Sequence, residues 1–397
     1  MSLNRKGTWL AAWVLMGMLG GLSASAQGLR DADIFAPAEP SHYGGGVRAN
    51  EGFFFTYDAL VWTASPPKRA SFGNTPDPNN PLAAYWGAAD TASMTQGTTM
   101  DTSFMQSYFT GGQRIEVGHI YEHAGWLFSY MMLHPYGQDQ GLYGVQALFA
   151  DQQWGAANLP HLYTDYGAGQ LRQLPVYFDN AILSLSTKIW GTEANILLRT
   201  HPGPRGGIFE WFFGARYIEF HEDFDVSANG TLPTSSLADT TFSTTGYNNI
   251  IGPQIGLRWF TTNDRWQFST EGKFVAGWNN QNIHQNGVVG SDLNSAIAPF
   301  PRQPGYPLAM VPTSVSYSAF LSEFSPVGEL RVEGKYQVTK NIAFRAGWNG
   351  MYIGQLARPS RMVNYELGQT HVLGILTNKN NDQCFLQGAS LGIEINR

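Results

Sequence analysis

Apolar and polar residues alternate one for one along much of this chain. In EWFFGARYIEF, residues 210–220, Trp211, Phe213, Ala215 and Tyr217 share one face, while Glu210, Phe212, Gly214, Arg216 and Ile218 share the other. VGELRVEGKYQV, residues 327–338, sets Leu330, Val332, Tyr336 and Val338 against Glu329, Arg331, Glu333, Lys335 and Gln337. The same period of two recurs in FFFTYDALVWT (53–63), QRIEVGHIY (113–121), GWLFSYMML (125–133), WQFSTEGKFVAGW (266–278), NIAFRAGWNGMY (341–352) and ASLGIEINR (389–397). A period of two is the signature of a β-strand with chemically different faces.

The spacing of these segments carries a second signal. Many run longer than the five or six residues usual for globular strands, and match the roughly 9–11 of a tilted membrane strand. Short links fall at Glu122–Ala124, His201–Gly207, Thr261–Arg265 and Thr339–Lys340. Long ones fall at about 64–111, 134–177, 221–244, 279–325 and 354–384. Short turns at one end and long loops at the other are the layout of an outer-membrane barrel. Strict alternation requires NAILSLSTKIWGTEANILLRT (180–200) to be one strand, with a β-bulge at Gly191 to turn Lys188, Glu193 and Arg199 the same way. The expectation is an all-β fold, a single-chain antiparallel transmembrane β-barrel. It has about ten strands, or twelve if a hairpin lies in 134–177 or 279–325. A soluble two-sheet sandwich would alternate in the same way but explains neither the strand lengths nor the links.

Composition points in the same direction. Charged residues make up 14 % of the chain, against roughly 25 % in ordinary soluble domains, and mean hydropathy is only −0.22. The N-terminus reads as a signal peptide over 1–26: Arg5 and Lys6, an apolar run from about Thr8 to Leu22, and Ala24-Ser25-Ala26. No later apolar run reaches the ~18 residues of a membrane helix. Residues 27–51, with Gly44-Gly45-Gly46, read as a flexible periplasmic leader, and 52–397 as the barrel with its extracellular loops. Without Arg5 and Lys6 the 24 basic residues fall to 22 against 30 acidic ones, a net of −8, with no basic run to attract nucleic acid. Cys384 is the sole cysteine, so no internal disulfide forms.

In a barrel the apolar face meets lipid and the charged face meets the lumen. The lipid face then includes Trp211, Phe213, Tyr217, Trp259, Trp266, Phe268, Trp278, Leu330, Val332 and Trp348. The lumen face includes Arg114, Glu116, Lys188, Arg216, Arg258, Glu271, Lys273, Glu329, Arg331, Glu333, Lys335 and Arg345. With Glu193, Arg199, Glu210 and Glu394 it holds seven acids and nine bases, a near balance that suggests ion pairing. About eight strands are just filled by their side chains, and open aqueous pores come at about 16–18. Ten strands lined by ion pairs therefore leave a plugged lumen or a narrow path that favours anions weakly at most.

Several blocks carry a resemblance. They are WGTEANILLR (190–199), GARYIEFHEDFDV (214–226), TTFSTTGYNNIIGPQIGLRW (240–259), WQFSTEGKFVAGWNNQ (266–281), GKYQVTKNIAFRAGWNGMYIGQLARP (334–359) and the ending FLQGASLGIEINR. In this order they resemble the β-barrel porins of planctomycete bacteria. The resemblance implies an outer-membrane barrel and carries over no catalytic residue. Barrel proteins commonly end on an aromatic residue read by the assembly machinery, and here the last residue is Arg397.

Candidate chemistry outside the lumen is sparse. His221-Glu222-Asp223-Phe224-Asp225 reads as a solvated acidic loop and Asp77-Pro78-Asn79-Asn80-Pro81 as turn chemistry. A rim enzyme would need one of His119, His134, His221, His284 or His371 beside a Ser or Asp. No G-x-S-x-G, H-E-x-x-H or phosphate loop is present. The expectation is a porin-like passive channel or a structural barrel, without enzyme activity, cofactor or metal. Its expected partners are outer-membrane lipid, the barrel-assembly machinery, and small solutes or an extracellular partner. The alternative is an adhesion barrel that acts through its loops.

Overall fold

The structure, a computed structural model, describes residues 52–72, 85–88, 100–121, 123–151, 172–203, 207–229, 239–289, 313–364 and 374–396. The expected signal peptide and leader (1–51), residues 77–81 and His371 lie outside the described residues.

Ten long strands form the wall: β1 (Gly52–Ala64), β3 (Tyr108–Ile120), β4 (Ala124–Asp151), β5 (Arg172–Arg199), β6 (Ile208–Asn229), β7 (Thr240–Asn263), β8 (Trp266–Val289), β9 (Thr313–Gln337), β10 (Ile342–Leu356) and β13 (Asp382–Asn396). Each pairs antiparallel with its neighbour around the ring β4-β3-β1-β13-β10-β9-β8-β7-β6-β5, and β4 pairs with β5 to close it. Closure leaves no sheet edge in the wall, the condition for a β-structure to sit in hydrocarbon. Three short strands are accessory: β2 (Tyr85–Ala88) adds to the outer part of β4, and β11 (Val363–Asn364) pairs with β12 (Gly374–Ile375). Two short helical turns, α1 (Pro359–Met362) and a 3-10 turn (Thr377–Lys379), complete the described elements.

The outward side chains form a band between two aromatic girdles. Near the short turns lie Trp126, Trp211, Trp259, Trp266, Phe268 and Phe344; toward the long loops lie Tyr217, Trp278, Phe324, Tyr352 and Phe385. On β8 the girdles are Trp266 and Trp278, twelve residues apart. That spans roughly 30 Å after allowing for strand tilt, the thickness of a bilayer core. Phe213, Leu330, Val332 and Trp348 also face outward within or beside this band, and all are exposed.

Beyond the upper girdle the wall does not stop. β4 to β9 continue as 22- to 28-residue strands, so much of 134–177, 221–244 and 279–325 is strand rather than the loop expected from sequence. The reason is an inversion of polarity. Inside the bilayer zone the outward face is apolar, whereas above it Leu183, Leu185, Phe224, Val226 and Phe242 turn inward and Ser184, Ser186, Asp223, Asp225 and Ser243 turn outward. Among the described residues no additional membrane strand arises there, and the closed barrel has ten strands rather than twelve.

The same inversion corrects the bulge at Gly191. β5 pairs with β6 without a break from Asn180 to Arg199, and its inward positions stay odd throughout. Lys188 therefore points outward and is exposed, not lumen-lining. The bulge lies on β4 instead. Leu133 opposes Ile189 and Tyr136 opposes Thr187, which places an extra residue at His134-Pro135. Proline lacks an N–H and fits a position that the ladder skips.

Candidate functional site

The lumen is filled in layers, and each layer follows from which residue types occupy the inward positions. In the half nearer the short turns these positions are charged. Arg199 donates to Glu210 at 2.9 and 2.6 Å, and Arg258 to Glu271 and Glu210 at 2.7 and 3.1 Å. Arg345 forks onto Glu333 at 3.0 and 2.7 Å, and Lys335 reaches Glu394 at 2.8 Å. These bonds link neighbouring strands or strands two apart and form a ring along the wall.

Deeper in, the bonds cross the barrel. Arg114 on β3 donates to Glu329 on β9 at 3.0 Å, and Arg331 on β9 returns to Glu116 on β3 at 2.9 Å. β3 and β9 stand four places apart in a ring of ten. Arg216 on β6 also binds Glu329, and Lys273 on β8 binds Glu193 on β5 at 2.7 Å, each three strands away. Gln254 donates to Glu193 and Asn195 at 3.0 and 2.8 Å. Side chains that meet across the axis leave little space. One cavity, lined by Arg114, Glu193, Arg216, Glu329 and Arg331, holds about 10 Å³, room for about one water. A second, toward the short turns beside Glu116, Arg258, Glu333 and Arg345, holds about 50 Å³.

Charge in this belt balances. Lys188 leaves the expected set because it points outward, which reduces the nine bases to eight. Asp58, buried within 3.9 Å of Arg345, joins it and raises the seven acids to eight. The weak anion preference expected from sequence therefore has no source in the belt. Arg114, Glu116, Arg216, Glu271, Lys273, Glu329, Arg331, Lys335 and Arg345 are all buried in it, and Arg258 and Glu333 lie at its wetter edge.

Above the belt the inward residues become apolar. Trp62, Met131, Ile189, Phe220, Ile250, Val275, Val327, Met351 and Leu386, from nine strands, pack into one buried cluster. β3 contributes Gly112 near this level, and the Arg114 guanidinium lies 5.5 Å from the Trp62 ring centre. These nine side chains are at most 3 % exposed.

A segment folded in from the long-loop end covers the apolar layer. At the end of β10 the chain turns at Gln355, whose φ is +53°, and enters the barrel as Leu356, Ala357, Arg358 and α1, all buried except Arg361. Asn248 clasps Ala357, accepting from its N–H at 2.8 Å and donating to its carbonyl at 2.9 Å. Asn279 and Gln281 donate to the Gln355 carbonyl at 3.0 and 2.9 Å. Arg358 forks onto Glu222 at 3.0 and 2.5 Å and donates to the Ser65 carbonyl at 3.0 Å. Sequence reasoning left 354–384 as a plain loop. Its one available signal was Leu-Ala-Arg-Pro, an apolar stretch with a lone cation and few charges around it.

The remaining titratable candidates lie elsewhere. His119 is at the short-turn end of β3, packed against Phe53 and Tyr121 at 4.3 and 4.2 Å, not at the outer rim. His221 stacks on Tyr247 at 4.2 Å and lies 3.3 Å from Asp223. His284 Nδ1 is 2.8 Å from Ser318 Oγ, the pairing that a rim enzyme would need. It lies on the flat outward face of β8 and β9, where backbone N–H groups are spent in the ladder, so no donor pair is aimed at an oxyanion. Outside the membrane zone, Asp101 is partly buried, which raises its pKa. Hydrogen bonds from Arg69 and Ser103 outweigh this and hold it below the usual carboxylate value. Among the described residues no group of three or more His, Cys, Asp or Glu is placed to hold a metal.

Solved structures match most of the chain at low similarity. The outer membrane protease OmpT from Escherichia coli is 8 % identical, with 89 % of this chain and 99 % of that one covered and a TM-score of 0.37. A Pseudomonas aeruginosa FadL homologue is also 8 % identical, with 91 % and 94 % covered and a TM-score of 0.24. No curated protein matches the chain in sequence. The family model described as "Putative beta barrel porin-7 (BBP7)" matches residues 54–396, from the first wall strand to the last, and the chain belongs to that family of outer-membrane β-barrels.

Proposed function

We propose that this porin-family barrel acts passively and without catalysis, and that its resting state is closed. The observation that carries this reading is the set of Arg–Glu bonds between strands three and four apart, which occupy the axis where solute would pass. Two further seals stand above it, the apolar layer and the inserted segment. Export by the N-terminal signal peptide, assembly by the barrel machinery and contact with outer-membrane lipid belong to the same reading. In favour of a barrel without catalysis, the His284–Ser318 contact has no oxyanion site beside it among the described residues. Adhesion through the loops is not favoured by membership of a porin family.

Closure is testable because the inserted segment is a detour. Leu356 on β10 pairs with Asp382 on β13, so residues 357–381 can be replaced by a short turn without moving either strand. Reconstituted wild type is expected to give no liposome swelling above protein-free vesicles and no steady conductance in planar bilayers. Removing 357–381 alone should still exclude sugars, because the belt remains. Combining that deletion with Arg331→Ala and Glu116→Ala should admit ions. Steady conductance or sugar flux from the wild type overturns the closed reading.

A further inference from the structure

On β7, β8 and β9 the outward face changes chemistry at one level. Ile251, Trp278 and Phe324 stand in register, each about half exposed, and end the lipid-facing rows of their strands. From there, every second residue continues outward: Asn249 to Thr241 on β7, Asn280 to Asn286 on β8, and Ser322 to Ser314 on β9. These are five, four and five positions. All fourteen are Asn, Ser, Thr, Tyr, His or Phe, and none is Asp, Glu, Lys or Arg. A surface made only for water usually carries roughly 25–35 % charged residues, about four in such a set.

We propose that this face binds the sugar headgroups of the outer-leaflet glycolipid in which the barrel sits. The first argument is continuity. The β8–β9 register runs without a break from Trp266↔Tyr336 to Val289↔Thr313, so the face that meets acyl chains runs straight on beside the headgroups of the same lipids. The second is hydrogen-bonding chemistry. The Asn280 and Asn286 carbonyls accept from Ser322 and Ser316 at 3.1 and 2.9 Å, which turns the amide NH₂ groups toward the surroundings. Hydroxyls and amides both donate and accept, as sugar hydroxyls require. The third is shape: Phe320 is 72 % exposed, with His284 edge-on at 5.9 Å, an apolar platform for the C–H face of a pyranose. Headgroup phosphate is not the ligand of this face, since phosphate capture uses Arg or Lys and the face has neither. The adjoining β5–β6 face differs, with Lys188, Asp223 and Asp225.

The test reconstitutes the full chain in phospholipid nanodiscs with or without lipopolysaccharide and counts retained glycolipid by native mass spectrometry. Wild type is expected to retain glycolipid through exchange into glycolipid-free nanodiscs. Asn282→Asp with Asn286→Asp and Ser318→Asp should weaken retention roughly tenfold or more, the effect of losing donors across one face. Ser184→Asp with Ser186→Asp on β5 should leave it unchanged. Phe320→Ala gives an independent, milder loss should the triple variant fail to fold. No retention by the wild type, equal retention by both sets of variants, or concentration-dependent dimerisation through this face each overturns the proposal.

Discussion

The Arg358–Glu222 pair sets the strength with which the inserted segment is held, and a double-mutant cycle measures it. Arg358 is 1 % exposed and Glu222 is fully buried. Two hydrogen bonds join them, and Glu222 also accepts from Thr187 at 3.0 Å. Arg358→Met leaves a buried carboxylate without its cation, and Glu222→Leu leaves a buried guanidinium without its anion. Each should cost about 3–5 kcal/mol. The double variant replaces both charges with apolar side chains inside an apolar neighbourhood. It loses mainly the bonds to Ser65 and Thr187, about 1 kcal/mol each. A total near 2 kcal/mol, against about 6–10 for the summed singles, leaves a coupling of at least ~4 kcal/mol. Tryptophan fluorescence during urea unfolding from lipid vesicles reads each value, and protease nicking within 357–381 reads local release. Additivity of the two single changes within about 0.5 kcal/mol would refute the latch.

Three further outcomes follow from the layers. Phe274→Arg, facing lipid between the β8 girdles and nearer Trp278, should destabilise the barrel by about 2 kcal/mol, whereas Asn282→Arg, above the girdle on the same face, should cost under about 1 kcal/mol in urea unfolding. Lys188→Leu should stay within about 0.5 kcal/mol of wild type, while Lys273→Leu, which takes one cation from both Glu193 and Glu271 and leaves Arg216 and Arg258 as their remaining partners, should lose about 2–3 kcal/mol in the same assay. Asp101 has a depressed pKa in the folded state, so its contribution is present above the unfolded value and lost as pH falls through the folded one. Hydrogen-exchange protection of the Thr102 amide, bonded to the Ala70 carbonyl, should hold from neutral pH to about pH 4 and weaken below it.

The membrane part of this fold was legible because lipid enforces a simple rule. Where Leu330 and Val332 must meet hydrocarbon and Glu329 and Arg331 must avoid it, the period of two is written into the residue types. The parity of short and long links then gives ten strands. The rule lapses above Trp278 and Tyr217, where water or headgroups replace hydrocarbon and the apolar side turns inward. Lys188 reads as inward only when the lower rule is carried past its range, and a bulge at Gly191 is what that reading then requires. The bulge at His134-Pro135 was hidden because the alternation changes there from the lower rule to the upper one. Asp58 is the one acid within an otherwise uncharged segment, and the cation nearest it, Arg345, belongs to another strand. Pairings such as Arg114–Glu329, and the seat of Arg358 on Glu222, depend on which strands face each other across the ring, which period alone does not encode.

The seam between β1 and β13 has a consequence for biogenesis. The first wall strand is stitched to the last, from Phe54↔Asn396 to Ala64↔Leu386. A polypeptide emerging in order therefore cannot complete its cylinder until its final fifteen-residue strand has been delivered. Until that moment the partly made wall carries two raw margins whose amides and carbonyls have nothing to bind in hydrocarbon. A premature stop within β13 would not shorten this protein so much as unzip it along its whole height.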